Sequence, residues 1–260
     1  MRETENDLAL LIDAAQAAGE IATQHFGNRP KAWEKSDGQG PVTQADLEID
    51  AMLKARLTAA RPEYGWLSEE STDDLERLER ARVFVVDPID GTRAFIDGQK
   101  GFAHVICVVE HGKPVAAVVH LPLLGHTYSA ASGQGAYLGA RPLQVSQRSA
   151  ISGAQILVAR PQLAARHWPG GVPECNRHFR PSLAWRLALV AEGAFDAMLT
   201  LRPTWHWDVA AGSLLVCEAG GVVSDGTGAR LCFNLPEPRA DGIIAAGPAL
   251  HAALLERRNP

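Results

Sequence analysis

No apolar run in the 260-residue sequence approaches the ~18 residues needed to cross a bilayer, which excludes a transmembrane helix. The first residues, Met1-Arg2-Glu3-Thr4-Glu5-Asn6-Asp7, are too acidic and polar for a signal peptide, so a cytoplasmic location is expected. There is no C-x-x-C pair. Cys107, Cys175, Cys217 and Cys232 are scattered, which excludes zinc-ribbon and thioredoxin-like readings and leaves reduced, packed thiols as the expectation. Internal repeats and low-complexity tracts are also missing. A net charge of only −5 gives no global reason to bind a nucleic acid polymer or an anionic membrane. An anionic substrate would therefore need a local attractor, and bound cations are the obvious candidates. What remains is the composition of a globular enzyme, long enough for one large domain or two coupled smaller ones.

Hydrophobic spacing predicts a helix from Asn6 to Gly27, with Leu8, Leu11, Ile12, Ala15, Ala18 and Ile21 on one face. Lys35 to Pro41 reads as a polar, Gly-rich loop. A second helix is expected from Thr43 to Ala60, stopped by Pro62. Tyr64 to Ser68 reads as a short strand and Thr72 to Ala81 as a charged surface helix or loop. Arg82 to Asp87 is a buried strand ending on an acid, and Ala103 to His120 a hairpin turning at His111-Gly112-Lys113. Strands follow at Thr127–Ala131 and Gly135–Leu138. The polar stretch Arg141 to Gly153 suggests a boundary, giving an N-terminal half, 1–145, and a C-terminal half, 146–260. In the second half, strands at Ile156–Ala159, Asp196–Leu201, Val222–Val223 and Ile243–Ala246 alternate with helices at Leu183–Glu192, Val209–Ala219 and Ala249–Arg257. This order suggests layered sheets and helices.

The chemistry concentrates in Asp87-Pro88-Ile89-Asp90-Gly91-Thr92. An apolar strand ends in Asp87, and Pro88 and Gly91 force a tight, irregular path. Two carboxylates three residues apart can converge there, with the Ile89 carbonyl beside them. Mixed carboxylate, carbonyl and water oxygens are what magnesium prefers. The Thr92 hydroxyl lies where it could hold a water, and the N–H groups of Gly91 and Thr92 where they could hold a phosphate. An isolated D-x-x-D is most often only a turn. Two further acidic element ends are available, Ser68-Glu69-Glu70 and Trp207-Asp208-Val209-Ala210-Ala211-Gly212, in the second of which Asp208 alone reads as a helix N-cap.

These three motifs in this order resemble the inositol monophosphatase superfamily of lithium-sensitive, magnesium-dependent phosphatases. The resemblance implies a layered αβαβα sandwich, mixed α and β, and hydrolysis of a small phosphate monoester with two or three Mg2+ ions per site. It implies that Glu69, Asp87 and the Ile89 carbonyl hold one magnesium and that Asp87, Asp90 and Asp208 share a second. Glu69 and Thr92 would orient the attacking water, and Asp46 would pair with Thr92 or reach a third metal through water. Thr43 and Asp46 also form a capping-box pattern, which is compatible with that role. A homodimer is the assembly common in the family. His206 is expected to pack or to support Asp208.

The substrate is less clearly written. Thr92-Arg93-Ala94-Phe95 lacks the Asn usual in inositol monophosphatases, and Met198 to Pro203 lacks their hydroxyl-binding Glu. Lys35-Ser36-Asp37, Leu67-Ser68-Glu69-Glu70, Arg93, Val190-Ala191-Glu192-Gly193 and Arg186 resemble instead the 3'(2'),5'-bisphosphate nucleotidases of the CysQ group. That implies 3'-phosphoadenosine 5'-phosphate as substrate, giving AMP and phosphate. Arg186 would meet the second phosphate, Asp90, Gly91, Thr92 and Ser182 would line the pocket, and Trp205 and Trp207 are candidates for a base site. An inositol or other polyol phosphatase is the alternative, followed by fructose-1,6-bisphosphate or histidinol phosphate as substrate. A non-catalytic relative that binds metal or a partner protein is the competing class.

Overall fold

The computed structural model describes residues 2–27, 31–35, 40–73 and 75–259. The N-terminal apolar spacing folds as α1 (Arg2–His25), which buries Leu11, Ala14, Ala15, Ala18 and Ala22. Its small residues let it lie close to the sheet: a Cβ on Gly19 would come within 3.0 Å of the His120 ring and of Pro122. A short antiparallel pair, β1 (Ala32–Glu34) and β2 (Pro41–Thr43), precedes α2 (Gln44–Ala60). Ser36 and Asp37 of the K-S-D stretch, with most of the expected loop, lie outside the described residues.

A seven-stranded sheet follows in chain order: β3 (Gly65–Ser68), β4 (Arg82–Asp90), β5 (Ala103–Glu110), β6 (Lys113–Leu121), β7 (His126–Ala131), β8 (Ala136–Leu138) and β9 (Arg141–Pro142). Only β3 and β4 are parallel within it. The short α3 (Thr92–Ile96) follows β4 directly. A five-stranded sheet has the order β11-β10-β12-β16-β14, from β10 (Gln155–Val158), β11 (Asn176–His178), β12 (Ala197–Thr200), β14 (Val222–Ser224) and β16 (Ile243–Ala246). β13 (Thr204–Trp205) and β15 (Arg239–Ala240) form a separate pair. The remaining helices are α4 (Leu183–Ala191), α5 (His206–Glu218) and α6 (Pro248–Arg258).

Three apolar cores define the layers. One lies between α1, α2 and the large sheet, with Leu53, Phe84, Val86 and Ile106. A second lies where α4 and α5 pack between the sheets, with Val85, Val105, Leu187, Val209 and Ala245. The third lies between the small sheet and α6, with Ile156, Leu199, Leu250 and Leu254. This is the expected αβαβα sandwich.

Some local expectations need correction. The charged stretch Thr72–Ala81 is not simply surface: Arg77 is fully buried, donates to both oxygens of Asp73, and also reaches Asn234 Oδ1 at 2.6 Å and the Leu235 carbonyl at 3.0 Å. A buried guanidinium is tolerable because its N–H groups find acceptors. Of the cysteines, Cys107 is packed, but Cys217 and Cys232 are exposed, and all four are free. α5 begins three residues earlier than its apolar pattern suggests, so Trp205 occupies the N-cap position and Asp208 sits inside the first turn.

The tightest packing of the middle layer is at Gly212 of α5, where a Cβ would come within 2.5 Å of Leu187 Cβ and Cδ1 on α4. Gly212→Val should therefore lower unfolding free energy by ~2–3 kcal/mol in urea titrations. An unchanged midpoint would show that the two helices can separate at no cost.

Candidate functional site

The site begins with a fault in a strand. Along β4, Val83 and Val85 face α5 while Phe84 and Val86 face α1 and α2. Strict alternation would send Asp87 and Asp90, an odd number of residues apart, to opposite faces. The ladder prevents this: Asp87 pairs with Val105 and Asp90 with Ala103, so three steps on β4 match two on β5. The extra residue is a β-bulge, and it turns both acids toward α5. Gly91 then takes φ 101°, a left-handed conformation that suits glycine, and α3 starts at Thr92.

The other acids arrive from neighbouring elements. Glu69 follows β3, whose parallel pairing with β4 continues through Glu69 N–H to the Val86 carbonyl at 3.2 Å. Asp208 comes from the first turn of α5. Glu69, Asp87 and Asp208 each offer an oxygen within 4.8 Å of the others. They line a cavity of about 300 Å³ together with Ile89, Asp90, Gly91, Thr92, Arg202, Pro203 and Trp205.

This crowding is electrostatically expensive. Burial, then the charges of Glu69, Asp90 and Asp208, drive the Asp87 carboxyl well above the ordinary range. Burial, then Asp90 and Glu69, do the same to Asp208. Asp90 is raised to about 6, burial outweighing the hydrogen bonds it accepts from Ser182 Oγ (2.6 Å) and Ala184 N–H (2.7 Å). Asp87 Oδ1 is buried and has no hydrogen-bond partner. An unpartnered carboxylate oxygen among other carboxylates, with a backbone carbonyl nearby, fits a hard divalent cation, which would satisfy that oxygen and cancel the repulsion.

Helix α2 braces two sides of this cavity. Asp46 forms the capping box with Thr43, accepting from Thr43 N–H at 2.8 Å and Oγ1 at 2.5 Å. Its other oxygen lies 3.3 Å from Thr92 Oγ1, which also reaches the Ile89 carbonyl at 3.0 Å. Burial first, opposed by those Thr43 bonds, raises Asp46 to about 6. One turn further, Asp50 accepts from Ser68 Oγ and Ser71 Oγ, both at 2.5 Å, and so clamps the residues flanking Glu69-Glu70. Sequence reasoning missed Asp50, although its spacing of four from Asp46 places both on one helix face. Lys35 Nζ donates to Glu69 Oε1 at 2.7 Å and Glu70 Oε1 at 2.8 Å. Glu70 is raised to about 7, by burial and then by Glu69.

The candidate substrate residues divide. Arg186 is buried, not on a solvent face: it donates to the carbonyls of Arg180 (2.5 Å) and Pro181 (3.2 Å) and packs 4.3 Å from the Phe179 ring centroid. It lines a cleft of about 700 Å³ that adjoins the acidic cavity, sharing Glu69, Gly91, Thr92 and Arg202 with it. Burial lowers its pKa to about 10, partly offset by Asp90. Ser182 is corrected: fully buried, it caps α4 and gives its hydroxyl to Asp90, so it positions that acid rather than lining the cleft. Trp205 and Trp207 stack at 4.7 Å, and Arg239 covers Trp205 at 3.8 Å. With both faces taken, Trp205 cannot sandwich a base. His206 is a packing residue, buried against Phe233 and accepting from Asn234 N–H at Nδ1. Arg202 was missed as a site residue; the sequence signal was the cation standing where an acid was looked for.

The family model described as the inositol monophosphatase family matches residues 3–259. A protein named inositol-1-monophosphatase from Rhizobium meliloti (strain 1021) is 35% identical over 85% of this chain and 86% of its own length. A protein named 3'(2'),5'-bisphosphate nucleotidase CysQ from Aggregatibacter actinomycetemcomitans is 32% identical over 87% of each. The crystal structure of the extragenic suppressor protein suhB from Bartonella henselae superposes with a TM-score of 0.82 at 28% identity, covering 98% of both chains.

In the folded protein Asp46 and Asp90 titrate near 6 and Glu70 near 7, above their ordinary values of 3.8 and 4.5. The folded state therefore holds more protons than the unfolded one, and stability is lost as pH rises through this window. Without metal, in EDTA, the melting temperature should fall from about pH 4.5 to about pH 7, between the unfolded and folded values of these acids, and added Mg2+ should reverse the loss at the higher pH. A melting temperature that rises with pH in EDTA would contradict the crowded acid cluster.

Proposed function

The chain belongs to the inositol monophosphatase family and is a phosphatase of phosphate monoesters; within that class we propose a Mg2+-dependent 3'(2'),5'-bisphosphate nucleotidase. The observation that carries the substrate reading is the charge of the adjoining cleft, lined by Arg93, Arg186 and Arg202. One phosphate of a bisphosphate would enter the acidic cavity as the metal complex, and the other would meet guanidinium groups. Glu69, Asp87, the Ile89 carbonyl, Asp90 and Asp208 are the proposed metal ligands. Bound magnesium ions, two or three in number, would neutralise the ester phosphate and acidify a coordinated water.

The chain's own residues supply orientation and proton handling. Thr92 lines the cavity, and its hydroxyl proton points to the Ile89 carbonyl or Asp46 Oδ1, which leaves an oxygen lone pair to accept from the attacking water. Asp46, ionised above about pH 6, is the acceptor behind that relay. Glu69 is the carboxylate placed to hold the same water, with Lys35 and the Asp50 clamp fixing its loop. The N–H groups of Gly91 and Thr92 are proposed to receive phosphate oxygens.

The second reading is inositol-1-phosphate, supported by the name of the Rhizobium meliloti relative. Against it stands the Thr200-Leu201-Arg202 stretch, which offers ring hydroxyls no carboxylate acceptor. A nucleobase would meet Phe179, the aromatic residue lining the cleft, instead of the covered Trp205.

Arg202→Ala, which removes an exposed guanidinium of the cleft, should raise KM for 3'-phosphoadenosine 5'-phosphate roughly tenfold to a hundredfold, as loss of a charge-assisted contact implies. Turnover of inositol-1-phosphate should change by less than about threefold, since a removed contact to an absent group costs nothing. Equal losses on both substrates would defeat the bisphosphate reading. Glu69→Gln and Asp87→Asn should nearly abolish turnover with circular dichroism unchanged; near-normal rates in either would refute the ligand assignment, and full activity at high lithium would count against it.

A further inference from the structure

The bulge in β4 needs something to hold it. Pro88 and Ile89 have no partners across the ladder, because Asp87 and Asp90 take the flanking positions on β5. Pro88 also lacks an N–H to donate. Its carbonyl is met instead by a side chain. His104 stands on β5 between Ala103 and Val105, and its Nδ1 lies 2.5 Å from the Pro88 oxygen. The ring is fully buried on the face opposite the acids, edge-on to Phe102 at 5.9 Å and 6.2 Å from the His120 ring. A carbonyl only accepts, so Nδ1 carries the proton, and Nε2 is left as a buried lone pair without a partner.

We propose that His104 is a positioning residue for the metal-binding turn: its Nδ1–H anchors the Pro88 carbonyl and so fixes the bulge that carries the Asp87 and Asp90 carboxylates to one side. An apolar side chain of similar bulk would leave that carbonyl buried without a donor. It could regain one only by turning the Pro88–Ile89 peptide, which would move Ile89 and the acid beyond it. His104 touches neither metal nor substrate; it acts from behind the sheet through one hydrogen bond. The inference rests on Asp87, Ile89 and Asp90 being the ligands.

The test compares His104→Leu with His104→Asn, whose amide nitrogen can stand near the Nδ1 position. Calorimetric titration of the metal-free proteins with Mg2+ should show binding weakened about tenfold or more in His104→Leu and within about threefold of the parent in His104→Asn. KM for the phosphate ester at saturating Mg2+ should not follow. Parent-like Mg2+ affinity in a folded His104→Leu would overturn the proposal, and so would an equal loss in His104→Asn, which would assign the effect to ring shape. If His104→Leu does not fold, nitrogen-15 spectra of the parent imidazole decide: the Nδ1-protonated tautomer is expected, and the Nε2-protonated one refutes the anchor. Asp87→Asn serves as the control. Undiminished Mg2+ binding there would fault the ligand assignment, while the tautomer reports on His104 alone.

Discussion

Carboxylates that repel one another share a single cavity, and three different elements deliver them. Asp87 and Asp90 come from the bulged end of β4, Glu69 from the end of β3, and Asp208 from the first turn of α5. Their oxygens approach because the elements are rigid, not because the acids attract. Partial compensation is built in: Asp90 takes the hydroxyl and N–H groups at the start of α4, and Glu69 takes the Lys35 ammonium. Nothing equivalent meets Asp87 Oδ1. Desolvation and like charge both favour the neutral acids there, and a divalent cation is the simplest agent that reverses both.

Holding repelling groups together requires that the supporting packing exceed the repulsion. The middle layer supplies it. α5 is buried along Val209, Ala210, Ala211 and Gly212, wedged against α4 and both sheets, so Asp208 cannot retreat from Asp87 without opening the core. α2 performs the same service on the other side, with Asp46 tied to Thr43 and Thr92 and Asp50 tied to Ser68 and Ser71. Stability is thus spent on preorganisation: the site is a local liability held by cores on either side of the large sheet.

Much of this was readable from residues alone, and the failures have physical reasons. The hairpin of β5 and β6 shows in β-branched runs around His111-Gly112, and α2 in its capping box and Pro62 stop. The acidic motifs announce themselves because chemistry needs those side chains at element ends. Short strands such as β11, Asn176–His178, carry no periodic signal, since three exposed or half-exposed residues owe their pairing to the neighbouring strand. The start of α5 is misplaced in sequence because Asp208, standing before a run of small apolar residues, reads as an N-cap, whereas the helix already begins at His206. Ser182 and Arg186 were legible as polar residues at a helix start but not as to direction. Their partners, Asp90 and the Arg180 and Pro181 carbonyls, lie across the fold or in an irregular loop. Arg77 lies in a stretch that reads as charged surface and Lys35 in one that carries only a motif resemblance; the acceptors of both are brought to them by the fold.

The charge pattern of the site gives a further constraint on what it can accept. Arg186 is itself a buried cation, and burial alone would make it unfavourable. Asp90 nearby and two backbone carbonyls offset that cost, so part of the purpose of Arg186 is internal: it balances an acid of the cavity. Arg202 is different. It is exposed and stands where the acidic cavity opens into the cleft, close enough to lower the pKa of Arg186 and to oppose the rise at Asp208. Two like cations held near one another are disfavoured until an anion lies between them, which mirrors at the cleft the unbalanced negative charge of the cavity. A ligand that brings a divalent cation to one end and an anionic group to the other relieves both imbalances. A neutral ring of hydroxyls relieves only the first, and this asymmetry, more than any single contact, is why the proposed substrate carries two phosphates.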